Sequence, residues 1–181
     1  MTKTIMVTFI AALALVVAGC GGSNDESSSA SPTDEWASGF CTAITTWTDS
    51  IQSVTEQFTD PSSLSQDGLE SAANDVKTST STLVDDLKGL GAPDTASGQD
   101  VKNSVDELSS TLEGEVATID EAVQGASGLT GLLSAGAAIT TSLKAMGTAF
   151  STTLQTVQSA DAKGELQTAL EDSPDCASIT S

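Results

Sequence analysis

Residues 34–58 read DEWASGFCTAITTWTDSIQSVTEQF, and the spacing of their apolar side chains predicts the fold of the chain. These side chains recur every three or four residues: Trp36, Phe40, Ile44, Trp47, Ile51, Val54 and Phe58. Steps of three and four place residues on one face of an α-helix. We therefore predict a first helix from Asp34 to Phe58 that buries this face, ended by the Thr-Asp-Pro-Ser sequence at 59–62.

The same spacing recurs in the next two segments. A second helix is predicted from Ser62 to Leu87, before the Gly- and Pro-containing sequence at 88–93, which is typical of a helix end. A third helix is predicted to run to Gln124, with Asp94 or Asp100 as its N-terminal cap.

The segment that follows has two interpretations. Residues 125–138 read GASGLTGLLSAGAA and could form a turn between helices or a loosely helical continuation. A fourth helix is clearest from Ile139 to Val157, and a short fifth helix is predicted from Lys163 to Glu171. No segment has the pattern of a strand. The expected fold is all-α, an elongated antiparallel four-helix bundle with a short C-terminal fifth helix.

The N-terminal residues MTKTIMVTFIAALALVVAGC predict export. Lys3 precedes an apolar run, from Ile5 to Ala18, that is shorter than the roughly 20 residues of a transmembrane helix. The residues 17–20, Val-Ala-Gly-Cys, resemble the lipobox of bacterial lipoproteins. That resemblance implies diacylglycerol on Cys20 and cleavage before it. Two acyl chains give stable anchoring, so the expected location is the extracytoplasmic face of the cell membrane.

These features divide the chain into three parts. Residues 1–19 are predicted to form a lipoprotein signal peptide, residues 20–33 a lipidated, flexible, Gly/Ser-rich tether, and residues 34–181 the helical domain. The mature chain keeps five of the six lysines and all 25 acidic residues, a net charge of 5 − 25 = −20. Phosphate backbones repel such a chain, so nucleic acid is not expected as a partner. The lipid on Cys20 provides the contact with the membrane.

The three cysteines have different predicted roles. With Cys20 lipidated, Cys41 and Cys176 remain, and exported proteins meet oxidising conditions. An antiparallel bundle places the start of its first helix and the end of its last at the same end. We therefore predict a disulfide between Cys41 and Cys176, the alternative being two separate buried thiols.

Three short patterns carry a resemblance of the mature chain to known proteins. They are the Trp-x-x-x-Phe-Cys sequence from Trp36 to Cys41, Trp47 after it, and the Pro-x-Cys sequence from Pro174 to Cys176. With them the chain resembles small helical lipoproteins of actinobacteria. This resemblance implies no catalytic residue.

The composition argues against catalysis, because the chain has no His, no Arg and no Tyr. Serine–histidine and cysteine–histidine arrangements are therefore excluded. We predict no enzymatic activity, no cofactor and no metal. Asp106, Glu113 and Asp120 recur every seven residues, with Glu107 and Glu121 beside them, as in a solvated helix face; a divalent-cation site or a glycosidase pair is the alternative.

Aromatic and apolar residues provide the remaining candidates for binding. Trp36 and Trp47 lie on the apolar face of the first helix, which favours core packing over a sugar-binding platform. The segment 125–150 is uncharged except for Lys144; it either belongs to the core or exposes leucines to a lipid, a partner or a ligand. The candidate surface comprises Leu129, Leu132, Leu133, Met146 and Phe150.

Two functions follow from these observations. The first is a non-enzymatic lipoprotein of the cell envelope that acts as a binding or structural module, with an unidentified protein or small-ligand partner. The alternative is a carrier of a small apolar ligand or lipid in the bundle core, near residues 129–150.

Overall fold

The computed structural model describes residues 30–57, 65–160 and 164–180, and all regular structure in these ranges is helical. Cys20 and most of the predicted tether lie outside the described residues. The helices are α1 Pro32–Gln57, α2 Gln66–Leu90, α3 Gly98–Gln124, α4 Gly128–Ala160 and α5 Glu165–Asp172, followed by a 3-10 turn Pro174–Cys176 and the helical turn α6 Ala177–Thr180. The prediction of an all-α chain is confirmed for this part.

Helix α1 begins two residues before the predicted Asp34, because a capping box precedes it. The Ser31 hydroxyl accepts a hydrogen bond from the backbone N–H of Asp34, and Oδ2 of Asp34 accepts one from the N–H of Ser31. Pro32, which has no backbone N–H and so needs no acceptor, occupies the first helical position. Phe58, the predicted last residue of α1, lies outside the described residues.

Helix α2 extends past its predicted end. It is capped by Ser65, whose hydroxyl accepts a hydrogen bond from the N–H of Gly68, while 62–64 lie outside the described residues. The helix ends at Leu90 instead of Leu87. Gly91 then turns the chain with φ of 66°, in the left-handed region that glycine adopts without steric penalty.

The predicted caps of α3 are wrong, since Ser97 precedes its first residue and makes no side-chain cap bond. Its hydroxyl donates instead to the carbonyl of Ala160, the last residue of α4. The close approach of Pro93 fixes this start. A Cβ at Gly98 would lie 2.0 Å from the Pro93 carbonyl oxygen, so only glycine fits there.

Helix α4 resolves the ambiguity of residues 125–138. The turn occupies only 125–127, and the helix runs for 33 residues from Gly128. The small residues Ala135 and Gly136 are buried, so they belong to the inner face of this helix and not to a loop. The predicted start of α5 at Lys163 lies outside the described residues, and its helix is observed from Glu165.

The helices pack into a helical bundle around one continuous core. Helix α1 packs against α2, α2 against α3, and α3 against α4, while α5 and the 3-10 turn cover α1. The largest fully buried side chains come from all five helices: Phe40, Ile44, Leu69, Leu83, Leu87, Leu108, Leu112, Ile119, Ile139, Met146, Leu166 and Leu170.

A disulfide joins α1 to the C-terminal 3-10 turn. Cys41 and Cys176 have a Cα–Cα distance of 5.0 Å, and both residues are fully buried. The predicted pairing is thereby confirmed in the structure. The bond fixes the chain end against the first helix across 135 residues of sequence.

Candidate functional site

The five residues of the predicted binding surface do not share one surface. Leu129 and Leu133 are 72% and 46% exposed, and they are the exposed large hydrophobic residues of the described chain. Met146 is fully buried. Leu132 and Phe150 are half-buried and pack against the core, Phe150 with its ring 6.5 Å from that of Phe40. Only the two leucines near the start of α4 are therefore available to a partner in this conformation.

The main grooves along the described helices are shallow and partly polar. One between α3 and α4, of about 230 Å³, is lined by leucine, alanine, serine, threonine and a glutamate. Another, of about 350 Å³, lies at the start of α1 and is lined in part by Asp34, Asp172 and Asp175. Both open to solvent. Neither is lined by the leucines of α4, Met146 or Phe150.

Both tryptophans belong to the core. The Trp36 indole N–H donates to the carbonyl of Gly91, and the Trp47 indole N–H donates to the Thr80 hydroxyl. Only 5% and 6% of their respective surfaces are exposed. A sugar ring needs an exposed aromatic face, so neither residue forms a platform in this structure.

The buried bond between Trp47 and Thr80 gives a test of this packing. Thr80→Val is expected to lower the free energy of unfolding by about 1–3 kcal/mol, because it leaves the indole N–H buried without a partner. Trp47→Phe in that background should cost less than it does alone. Urea unfolding of the four proteins of this double-mutant cycle measures the coupling, and strictly additive changes would contradict the bond.

The carboxylates repeated every seven residues along α3 each have a lysine partner. Asp120 pairs with Lys77 and Glu113 with Lys88, both across to α2, and Asp106 pairs with Lys102 one turn before it. All these groups are at least a quarter exposed, so each pair contributes no more than about 1 kcal/mol. Two of these pairs join α2 to α3, and all three occupy acids that sequence spacing suggested for a cation or a sugar.

The capping box at the start of α1 affects the pKa of Asp34. The backbone N–H of Ser31, and secondarily its side chain, lower the pKa of the exposed Asp34 carboxyl below its ordinary value. This is the expected electrostatics of a carboxylate in a capping box. Within the described ranges no three His, Cys, Asp or Glu residues are grouped to hold a metal ion.

The outer face of α4 is a surface of which the sequence analysis identified only Leu129 and Leu133. It consists of nine exposed residues at steps of three or four, which we term the outer stripe: Leu129, Leu133, Ala137, Thr140, Lys144, Gly147, Ser151, Gln155 and Gln158. No acidic residue lies on α4. The exposed residues of α4 also recur every three or four positions in the sequence. A search for apolar residues at this spacing detects mainly the buried face of the helix.

Comparison with protein-family models, with curated proteins and with solved structures gave no match for this chain. Among the helices that the structure describes, none combines the length and apolar content that crossing a membrane requires.

Proposed function

We propose that this chain is a lipoprotein of the bacterial cell envelope, anchored through lipid on Cys20, whose helical domain is a non-enzymatic binding or structural module. The observation that carries the proposal is the disulfide between Cys41 and Cys176. It accounts for two of the three cysteines and matches an oxidising compartment. The remaining cysteine, Cys20, follows the apolar run in a lipobox-like sequence.

The proposed architecture is an antiparallel four-helix bundle with α5 against α1. Two hydrogen bonds support it, from Trp36 to Gly91 and from Trp47 to Thr80. Trp47 lies eleven residues after Trp36, whereas Thr80 lies eleven residues before Gly91, as expected for α1 and α2 running in opposite directions. The start of α3 bonds to the end of α4 through Ser97 and Ala160. The lipid-bearing N-terminus then enters at the disulfide end. The α3–α4 turn, with Leu129 beside it, points away from the membrane.

The absence of enzymatic activity is proposed from the side chains that the chain contains. Without histidine, arginine or tyrosine, and with two thiols joined, the remaining proton-transfer groups are carboxylates and lysines. The carrier alternative has less support. Met146 is fully buried and Phe150 stacks with Phe40, so side chains of the protein fill the region where an apolar ligand was expected.

Lipid attachment is tested by changing Cys20 in the full chain expressed in a bacterial host. Cys20→Ser should abolish incorporation of a labelled fatty acid and leave the precursor uncleaved, because serine has no thiol for the thioether bond. The measurement is label per amount of immunopurified protein, together with its mass.

Cys176→Ser is the matched control, since it removes a different thiol. It should retain the label, although it loses the disulfide. Undiminished labelling of the Cys20→Ser chain would refute the proposed anchor.

A further inference from the structure

The outer stripe of α4 has the geometry of a helix–helix seam. Its nine residues follow one another at steps of three or four from Leu129 to Gln158, and each is exposed. The opposite side of α4 carries the buried residues Ile139, Met146 and Val157 that pack into the bundle. Helix α4 therefore has an inner face that the bundle covers and an outer face that the described part of the chain leaves exposed.

Charge distinguishes α4 from the rest of the described surface. In a chain with net charge −19, this 33-residue helix has no acidic residue, and Lys144 is its one charged group. Helices α1, α2, α3 and α5 all carry exposed carboxylates. Contact between two such chains through any of those helices would bring carboxylates together. Contact through α4 places no carboxylate of the contacting helix in the interface, so the repulsion between the two chains is weaker and is reduced further by salt.

The hydroxyl groups of the stripe already have partners. The Thr140 hydroxyl donates to the carbonyl of Gly136, and the Ser151 hydroxyl donates to that of Gly147. Covering these two hydroxyl groups would therefore leave neither of them as an unpaired donor. Ala137 and Gly147 are small and allow close approach of a second helix backbone.

We propose that two copies of this chain associate through their α4 helices, outer stripe against outer stripe, about a two-fold axis. Such an interface is isologous and needs only a surface that is compatible with itself. A helix of 33 residues is about 50 Å long and about 10 Å wide, so a paired face covers roughly 1,000 Å² in total. That area is near the lower bound of about 1,000 Å² for specific interfaces and defines a reversible dimer.

Lys144 distinguishes between two possible occupants of the outer stripe, a second copy of this chain and an acidic partner protein. The other described lysines, Lys77, Lys88 and Lys102, each form an ion pair with an acid of α3, and no ion pair involves Lys144 among the described residues. In the dimer the aliphatic stem of Lys144 covers the seam, and its ammonium group reaches solvent at the rim. An acidic partner would instead need that ammonium group for an ion pair.

Cross-linking of the full chain in the membranes of the expressing bacterium tests the proposal. Thr140→Cys places a thiol near the middle of the stripe, and a homobifunctional maleimide should then yield a covalent dimer of twice the chain mass. Thr82→Cys on α2 is the matched control, because Thr82 is also exposed and also donates to the carbonyl four residues before it. That variant and the parent chain should form the same dimer but yield no cross-linked product.

Two changes at position 144, each in the Thr140→Cys chain, identify the partner. Lys144→Glu should reduce the dimer about tenfold or more, because it brings two carboxylates together at the seam. Lys144→Ala should retain the dimer or increase it. Higher salt should increase it as well, because it screens the repulsion between the two acidic chains.

Three results would overturn the proposal. The first is a cross-linked product of any mass other than twice the chain. The second is a loss of the dimer on Lys144→Ala and on added salt, which assigns Lys144 to an acidic partner. The third is equal cross-linking of Thr140→Cys and Thr82→Cys, or none of either, in protein whose native disulfide stays intact and unreactive.

Discussion

Breaking the disulfide between Cys41 and Cys176 is expected to lower the free energy of unfolding by roughly 5 kcal/mol. The bond closes a loop with a sequence separation of 135 residues, and a loop of that length removes about this much conformational free energy from the unfolded chain in the entropic model. A small domain has only about 5–15 kcal/mol of stability in total. Loss of the bond should therefore leave the bundle marginally stable at physiological temperature.

Thermal unfolding followed by circular dichroism measures this effect with and without a thiol reductant. Cys41→Ala combined with Cys176→Ala should melt at the temperature of the reduced parent, and the reductant should not change it further. That insensitivity is the control for side effects of the reductant. A double variant as stable as the oxidised parent would contradict the assigned contribution of the bond.

Helical periodicity is the part of the fold that the sequence predicts well. Trp36, Phe40, Ile44, Trp47 and Val54 were assigned to one face from their spacing alone, and all are buried in the structure. Such a pattern is informative because burying apolar area is the largest favourable term in folding and acts along the whole helix. The pairing of Cys41 with Cys176 followed from the same reasoning, extended to which helix ends meet.

Helix boundaries were predicted less well because they depend on single contacts. The sequence Ser31-Pro32-Thr33-Asp34 contains a complete capping box, yet its polar composition resembles the preceding tether. Helix α3 begins after Ser97, where Pro93 approaches Gly98 and the Ser97 hydroxyl donates to Ala160, which is distant in sequence. No local propensity encodes that contact. The start of α4 was left open between a turn and a helical continuation because glycine and alanine carry little periodic signal, even where Ala135 is buried.

The candidate functional surfaces also depend on tertiary contacts that the sequence alone does not reveal. Spacing placed Asp106, Glu113 and Asp120 on one face of α3, but whether these acids are paired depends on the alignment of α2 beside them. Met146 and Leu133 both lie in the uncharged segment, and only the three-dimensional packing separates the buried residue from the exposed one. A sequence can therefore specify the faces of each helix, whereas the neighbour of each face is set by tertiary contacts.

Phe40→Ala is expected to lower the free energy of unfolding by about 3–5 kcal/mol, the usual range for removing a fully buried phenylalanine. The Phe40 ring stacks on Trp36 at 5.1 Å and on Phe150 at 6.5 Å, so it connects α1 to α4. Those two helices otherwise have few backbone contacts, and the 3-10 turn packs against α1 beside Phe40, through the disulfide at Cys41.

Urea unfolding of the disulfide-intact protein measures this loss, with Leu129→Ala as the control. Leu129 is on the same helix as Phe150 but is 72% exposed, so its truncation should change the free energy of unfolding by less than about 0.5 kcal/mol. Phe150→Ala should fall between the two, because Phe150 is half-buried and, among the aromatic rings that the structure describes, stacks with Phe40 alone. Equal effects of Phe40→Ala and Leu129→Ala would contradict an aromatic junction between α1 and α4.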